Sequence, residues 1–182
     1  MTEEEIIKGC KKNNTRCQHE LFNMYAGKLM SVCLRYAAST RDAEDMLQNS
    51  FIKIFNSIQQ YRNEGAFEGW IRKITVNTCL AHLRKKSFNY TEEKNAGNVA
   101  DINTLQAVSS ISEKELIKMI SKLPEGYRIV FNLYVIEGYS HEEIAKMMNI
   151  EAVTSRSQLA KARKMLQEQI LSQQKSIMSH DR

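Results

Sequence analysis

The chain has 182 residues, which is enough for one domain or two small ones. Its 26 Lys and Arg residues outnumber its 21 Asp and Glu residues, and the resulting formal charge of +5 favours an anionic partner. One proline, seven glycines and little strand-like alternation argue against a β-sheet protein, so we predict an all-α fold. We find no signal peptide or membrane-length apolar run and expect a cytoplasmic protein without membrane insertion.

Four cysteines, Cys10, Cys17, Cys33 and Cys79, are scattered along the chain without a C-x-x-C pair. Cys10 and Cys17, together with His19, do not have the spacing of a common zinc site. We therefore expect reduced thiols, with Cys33 and Cys79 in a core, and no metal or cofactor.

Helical periodicity predicts four helices in the first half of the chain, at 2–12, 20–37, 42–58 and 67–86. Thr2 and Glu5 have the spacing of a capping box at the start of the first helix. The second helix has an apolar stripe, which predicts its buried face: Leu21, Phe22, Tyr25, Leu29, Cys33 and Tyr36.

The third predicted helix begins with polar side chains, among them Asp42, Asp45, Gln48 and Asn49. Carboxylates in the first turn of a helix compensate its dipole, and this alone can account for the acidic residues here. The alternative is that they contact a protein partner. The fourth helix carries five basic and no acidic residues between Arg72 and Lys86.

Three aromatic residues, Tyr61, Phe67 and Trp70, lie in and just after the loop that precedes the basic helix. Proteins bind single-stranded nucleic acid with cationic side chains along the phosphates and with aromatic side chains that stack on the bases. The combination of this loop and the basic helix suits such a ligand. The alternative is that Phe67 and Trp70 are ordinary core residues, which we expect at least in part for Trp70.

A polar, Asn-rich stretch without sustained periodicity predicts a linker at 87–110. Beyond it, Ser112 and Glu115 have capping-box spacing at the start of a helix that Pro124 interrupts. A further helix is predicted at about 125–137, and Gly138 ends it.

A helix-turn-helix is predicted after Gly138. Ser140 and Glu143 form a capping box, Asn149 suits a left-handed helix end, and Ile150 fills the corner. The second helix buries residues at helical spacing, namely Ser155, Leu159, Ala162 and Leu166. Its polar residues face outward. The alternative to a DNA-binding helix-turn-helix is a plain helical hairpin whose polar face is only solvated. We expect His141 to be an exposed helix residue.

Several segments of the first half resemble region two of bacterial sigma factors of the extracytoplasmic-function (ECF) type. These are the run Asp42 to Phe51, the run Tyr61 to Ile71, and Asn77 through Leu83-Arg84-Lys85. Segments of the second half resemble region four of the same family: Leu123-Pro124, Tyr127-Arg128, Gly138 to Ala145, and Ser157 to Arg163.

The resemblance implies a dissociable subunit that directs core RNA polymerase to chosen promoters. It assigns polymerase binding to the start of the third helix, at Asp42, Asp45, Gln48 and Asn49. It assigns the opened −10 strand to the aromatic loop and the basic helix, at Tyr61, Arg62, Asn63, Phe67, Trp70, Arg72, Lys73, Asn77, Arg84 and Lys85. It assigns the −35 duplex to the second helix of the helix-turn-helix, at Thr154, Arg156, Ser157, Lys161 and Lys164.

The domain division that follows is region two at 1–86, the linker at 87–110, region four at 111–171, and a polar tail at 172–182 that we expect to fray. The resemblance also implies regulation by an anti-sigma factor, which in this family is often membrane-anchored. Three residues differ from those usual in the family: Glu151 in place of a capping Ser, Val153 in place of Gly, and Ala81 in place of Asp.

Two other readings of the sequence remain. A free-standing helix-turn-helix regulator would explain the second half and leave the acidic helix and the aromatic-basic surface without a role. A helical interaction adaptor would have no affinity for DNA. We do not expect an enzyme, because no metal quartet, Gly-rich phosphate loop or nucleophile with a base in motif spacing is present.

Overall fold

The computed structural model describes the backbone of residues 1–87 and 113–180, and the side chains of residues 1–85 and 115–172. Every regular element in these ranges is helical, which confirms the predicted all-α class. The chain divides into two compact units, Met1–Glu92 and Glu93–Arg182. The predicted linker at 87–110 lies outside the described residues, except for Ser87, which ends a helix. Within the described ranges, no helix is long and apolar enough to cross a membrane.

Four α-helices build the first unit over residues 1–87: α1 (Glu3–Lys11), α2 (Thr15–Tyr36), α3 (Thr40–Ser57) and α4 (Phe67–Ser87). A 3₁₀ turn (Ile58–Gln60) follows α3. Helices α2, α3 and α4 all pack against one another, and α1 packs on α2 and on the 3₁₀ turn. Their apolar faces form one core, which includes Leu21, Tyr25, Leu29, Ile54 and Ile71.

Side-chain caps start α2 and α3 earlier than the periodicity predicts. The Asn14 side chain accepts a hydrogen bond of 3.2 Å from the Cys17 backbone N–H, so α2 begins at Thr15. The Ser39 hydroxyl likewise accepts a hydrogen bond of 3.1 Å from the Asp42 backbone N–H. Each cap satisfies a backbone donor that the first turn of a helix leaves unpaired.

All four cysteines are buried thiols. Cys33 on α2 and Cys79 on α4 are fully buried, as predicted, with their Sγ atoms 4.0 Å apart. The hydrogen bond with Cys33 and then burial raise the pKa of Cys79, and burial raises the pKa of Cys10 to about 11. The Cys10 and Cys79 thiols therefore stay protonated at neutral pH and act as small apolar core residues. Among the described residues, no group of three His, Cys, Asp or Glu side chains could hold a metal ion.

The second unit contains α5 (Glu113–Ser121), α6 (Glu125–Phe131), α7 (His141–Met148) and α8 (Ala152–His180). Its core packs residues of α5 against α8, among them Met119, Ile120, Ala162 and Leu166. Buried Arg128 donates hydrogen bonds to the Ser121 and Leu123 carbonyl oxygens, at 3.1 and 3.4 Å, and thereby satisfies the end of α5.

The helix predicted at about 125–137 is not regular throughout. It changes from α6 into one π-helical segment (Asn132–Ile136), in which Asn132 and Leu133 are fully buried. Helix α8 also continues to His180, beyond the predicted domain boundary at 171.

The structure confirms the two predicted capping boxes that lie wholly within the described residues, Thr2 with Glu5 and Ser140 with Glu143. In the second box, the Ser140 N–H donates to the Glu143 carboxylate at 2.8 Å, and the Glu143 N–H donates to the Ser140 hydroxyl at 3.2 Å. Asn149 ends α7 in the left-handed region, with φ 54° and ψ 49°. The turn that joins α7 to α8 is therefore the one that the sequence predicts.

Candidate polymerase and nucleic-acid interfaces

The start of α3 presents an exposed polar surface. Asp45, Gln48 and Asn49 are exposed, and the Asn49 amide donates a hydrogen bond of 2.8 Å to the Asp45 carbonyl oxygen. The Asp42 carboxylate, one turn before Asp45, is only 19% exposed and lies 3.8 Å from His82 Nε2 on α4. The structure therefore groups three of the four predicted polymerase-binding residues and turns Asp42 toward α4.

Two large apolar side chains of the first unit, one on α3 and one on α2, are exposed. Ile52 on α3 is 51% exposed, and it is one turn from Gln48 and Asn49. Phe22 on α2 is 41% exposed, with its ring centroid 4.7 Å from that of Phe51. The prediction that Phe22 is buried is wrong, because its α2 neighbour Leu21 faces the core instead. Exposed apolar groups beside polar ones are typical of protein interfaces.

An open pocket of about 850 Å³ lies where the loop after the 3₁₀ turn meets the start of α4. Its lining includes Tyr61, Arg62, Trp70 and Lys73, four of the residues predicted to hold the opened strand. Gly65 also lines the pocket and has a φ of +110°, a backbone conformation that L side chains rarely adopt. The sharp loop this permits brings the aromatic and basic groups together.

The aromatic wall of the pocket is built from one hydrogen bond and several ring contacts. The Tyr61 hydroxyl donates to the Gly65 carbonyl oxygen at 2.7 Å, which closes the loop on itself. The Tyr61 ring lies 5.0 Å from Phe67 and 5.4 Å from Trp70, measured between centroids. These contacts fix the Tyr61 and Trp70 rings before any ligand binds.

Phe67 is a core residue, and Trp70 belongs to the core in part, as expected, because it packs against the same cluster. Phe67 is 2% exposed and packs on Tyr25, so its ring cannot stack on a base, and its assignment as a DNA contact does not fit. Trp70 is only half-buried and lines the pocket. Phe67 therefore supports the pocket from behind, and Trp70 offers the accessible ring.

The remaining residues predicted to hold the strand are spread along the loop and α4. Asn63 is exposed in the loop, with a left-handed φ of 59°. Asn77, Arg84 and Lys85 are exposed on α4, and Arg72 is half-buried. At 1.5 Å per residue, Arg84 lies about 16 Å along the helix from Lys73. These groups can follow several nucleotides of backbone but do not meet at one point.

The outward face of α8 carries the residues predicted to contact duplex DNA. Arg156 and Lys164 are exposed, and Thr154 and Ser157 are half-buried. Arg156 also forms an ion pair with Glu142 on α7, with Nη2 and Oε1 2.7 Å apart. Half-buried Lys161 lies against α6 of the same unit, with its ammonium 5.8 Å from the centroid of the Tyr127 ring.

The opposite face of α8 is confirmed as the buried one. Ser155, Leu159, Ala162 and Leu166 are all buried, as their spacing predicts. Val153 is 67% exposed near the start of the helix, where it adds an apolar group to the outward face. Glu151 precedes the first residue of α8, and its carbonyl oxygen accepts a hydrogen bond of 3.1 Å from the Ser155 N–H.

His141 is not the exposed helix residue that the sequence predicts. It is half-buried, its Nδ1 lies 2.9 Å from the hydroxyl of buried Ser155, and its ring stacks on Tyr134 at 4.3 Å. Burial lowers the pKa of His141 and the Arg156 cation lowers it further, while Glu142 opposes the shift. A neutral imidazole thus ties the start of α7 to α8, which fixes the angle between the two helices.

Comparison with known families agrees with this two-unit architecture. Residues 21–88 match the family model of Sigma-70 region 2, and residues 113–166 match that of Sigma-70, region 4. Together the two matches cover about two thirds of the chain.

Curated relatives match across both units. The ECF RNA polymerase sigma-E factor of Haemophilus influenzae is 29% identical over 182 residues, covering 93% of this chain and 96% of the relative. Those of Salmonella typhimurium and Escherichia coli K12 are 28% and 27% identical, and each alignment covers 93% of this chain and 95% of the relative.

Solved structures of similar chains include CnrH in complex with the cytosolic domain of CnrY, with a TM-score of 0.48, 16% identity, and coverage of 92% of this chain and 96% of that one. Another is the sigma factor RpoE in complex with the anti-sigma factor NepR from Bartonella quintana, with a TM-score of 0.49, 19% identity, and coverage of 85% and 96%. On the two family matches and the curated relatives, the chain belongs to the sigma-70 family as an ECF sigma factor, a transcription initiation factor.

Proposed function

We propose that this sigma factor divides its work among three surfaces. The exposed side of α3 binds core RNA polymerase, the pocket of the first unit holds an unpaired base of the −10 element, and the outward face of α8 reads the −35 duplex. The pocket supports this assignment most directly, because it joins an accessible Trp70 ring to the cations Arg62 and Lys73. A free-standing helix-turn-helix regulator would need only the second unit, whereas both units match sigma-factor regions.

At the polymerase surface, we assign the central contact to Ile52, with Asp45, Gln48 and Asn49 beside it. Ile52 is 51% exposed, so covering it contributes about half of the roughly 1.5–3 kcal/mol gained by burying a fully exposed side chain of this size. Exposed carboxylates and amides next to it give orientation and partner selectivity more than raw affinity. Asp42 has a lesser part, since its carboxylate already faces His82.

In the pocket, a base that leaves the duplex stacks against the Trp70 ring. Stacking on an aromatic side chain contributes about 1–3 kcal/mol per base. Arg62 and Lys73 lie at the same pocket and attract the phosphates on either side of the captured base. Because an unpaired base appears only after melting, this energy favours the opened state over the closed duplex.

At the upstream element, α8 enters the major groove with Arg156 and Val153 toward the base edges. An arginine guanidinium can pair with the O6 and N7 atoms of guanine, and an apolar side chain can contact a thymine methyl group. Exposed Lys164 suits a phosphate, which positions the helix without reading sequence. The Ser140 capping box and the His141–Ser155 contact hold the helix pair rigid for this docking.

The partners that follow are core RNA polymerase, promoter DNA and an anti-sigma factor. The RpoE structure named above is a complex with the anti-sigma factor NepR, and a similar partner would cover polymerase-binding surfaces of this chain. We place the protein in the cytoplasm, where core polymerase transcribes DNA. We assign it no catalytic step and no cofactor, because the polymerase carries out nucleotide addition.

Replacing Trp70 by Ala tests the pocket. Promoters are first obtained by transcribing a genomic fragment pool with the reconstituted holoenzyme and sequencing the transcript starts. On such a promoter, Trp70→Ala should lower the yield of opened complex by roughly fivefold to 150-fold, which corresponds to losing 1–3 kcal/mol of stacking. Permanganate reactivity of unpaired thymines measures the opening.

The matched control is Trp70→Phe, which keeps an aromatic face and should retain most of the opening. Binding of Trp70→Ala to core polymerase and to closed upstream duplex should equal that of the wild type. If Trp70→Ala melts at the wild-type temperature and opens the promoter as well as the wild type, the pocket does not capture a base.

A further inference from the structure

Helix α1 is attached to the pocket loop through its last residue. The Lys11 ammonium donates a hydrogen bond of 2.7 Å to the backbone carbonyl oxygen of Tyr61, and it lies 5.9 Å from the centroid of the Tyr61 ring. The Gln59 side-chain amide donates in return to the Lys11 carbonyl oxygen. Two reciprocal hydrogen bonds therefore clasp the end of α1 to the residues that begin the loop.

A helix end does not require this clasp. A cation in the last turn of a helix already stabilises it by compensating the dipole, and it can do so while exposed to water. Lys11 is instead half-buried and reaches a carbonyl oxygen 50 residues away in the chain. Partial burial strengthens such a charge-assisted hydrogen bond, since less solvent screens it.

Tyr61 is the residue through which this contact reaches the pocket. Its ring forms part of the aromatic wall with Phe67 and Trp70, and its hydroxyl closes the loop at Gly65. Lys11 is not among the residues that line the pocket, so any influence it has on a bound base passes through Tyr61. Helix α1 also precedes residue 21, where the match to Sigma-70 region 2 begins.

We propose that Lys11 is a positioning residue for single-strand capture, and that its bond to the Tyr61 carbonyl holds the pocket loop in the shape that accepts a base. This inference rests on the proposed function of the pocket. When the bond is lost, the loop samples other conformations, and the base-receptive one makes up a smaller fraction of them. Strand capture then slows in proportion to that fraction.

The chain offers a direct reporter for this loop, because Trp70 is its only tryptophan and lines the pocket. In the full chain, acrylamide quenching of Trp70 fluorescence measures how well the loop shields the ring. Lys11→Met removes the ammonium and keeps the apolar stem, so quenching should increase. In the holoenzyme, the same variant should open a linear promoter roughly threefold to tenfold more slowly.

Two variants serve as controls. Lys11→Arg keeps a cation that can donate to the Tyr61 carbonyl oxygen, and it should restore both quenching and opening. Lys8→Met removes an exposed cation one turn earlier on α1, and it should behave as the wild type. If Lys11→Met does not fold, Lys11→Leu, which also lacks a donor, is measured in the same two assays, with a thermal melt to confirm folding.

The outcomes separate this inference from the pocket proposal. A folded Lys11→Met or Lys11→Leu variant with wild-type quenching and opening would overturn the role of Lys11, provided that Trp70→Ala slows opening. Slower opening with unchanged quenching would also overturn it, since Lys11 would then act only through stability. If Trp70→Ala leaves opening unchanged, the pocket proposal itself fails, whatever Lys11→Met does to quenching.

Discussion

The ion pair between Arg156 and Glu142 sets up a quantitative test of the −35 surface. If Arg156 reads a base edge, we expect its guanidinium to turn away from Glu142, because the Nη2 group that now donates to the Glu142 carboxylate is drawn to the guanine acceptors. Glu142→Gln removes the competing charge and leaves the guanidinium available. We therefore expect Glu142→Gln to tighten binding to the upstream duplex, and Arg156→Ala to weaken it.

The exposure of the pair sets the size of the gain. The Arg156 and Glu142 side chains are 54% and 62% exposed, and ion pairs this exposed contribute only about 0.2–1 kcal/mol. Releasing Arg156 from the pair should tighten duplex binding by roughly 1.4-fold to fivefold. Losing a guanine contact in Arg156→Ala should weaken binding by about 1–3 kcal/mol, or roughly fivefold to 150-fold.

A double-mutant cycle on the upstream duplex separates competition from simple charge repulsion. Affinity of the holoenzyme is measured by fluorescence anisotropy, with the selected −35 element and with a scrambled one, at one salt concentration. In the Arg156→Ala background, Glu142→Gln should have a smaller effect, since no guanidinium remains to be released. The loss in Arg156→Ala should disappear on the scrambled element.

Two results would refute this reasoning. Equal weakening of selected and scrambled duplexes by Arg156→Ala would make Arg156 a phosphate contact. Weaker binding by Glu142→Gln would mean that the carboxylate orients the guanidinium toward DNA and does not compete for it. Because Glu142 also lies in the first turn of α7, a thermal melt must show that the variant remains folded.

Two further predictions concern the α3 surface and His141. Changing Asp45 and Gln48 together to Lys should weaken binding to core polymerase and change the free energy of unfolding by only about 0.5 kcal/mol. Ile52→Ala should also weaken binding, without adding a charge. If both variants fold and bind core polymerase as tightly as the wild type, the docking surface lies elsewhere. Since the pKa of His141 is lowered below 6.5 in the folded unit, the unfolded chain takes up a proton at a higher pH than the folded one. The charged groups that act on His141 are Glu142, Arg156 and Arg163. The stability that neutral His141 contributes is therefore present above pH 6.5 and is lost as the pH falls below it. His141→Gln should flatten that part of a plot of melting temperature against pH, and an unchanged plot would contradict the assignment.

Local rules predicted the parts of the fold that neighbours in sequence determine. The Ser140 box and the left-handed Asn149 depend on contacts within about four residues, so the local pattern alone indicates them. The apolar spacing along α8 likewise indicates which face of that helix is buried. The early start of α2 was missed because Asn14, which caps it, precedes the first strongly periodic residues.

Contacts between distant residues could not be predicted from the pattern. Phe67 and Trp70 stand three residues apart at a helix start, and periodicity alone does not decide which ring faces the core. The bond from Lys11 to Tyr61 joins residues 50 positions apart. His141 appears exposed by its position in a capping box, yet tertiary packing places it against Ser155 and Tyr134.

Reconstitution with bacterial core RNA polymerase tests the central assignment most directly. The purified chain is added to core polymerase with a genomic fragment pool, and the 5′ ends of run-off transcripts are sequenced. We expect transcripts to begin at discrete positions that share upstream and −10 elements, and only when the chain is present. Specific duplex binding by the chain alone, with no binding to core polymerase and no chain-dependent transcripts, would contradict its function as a sigma factor.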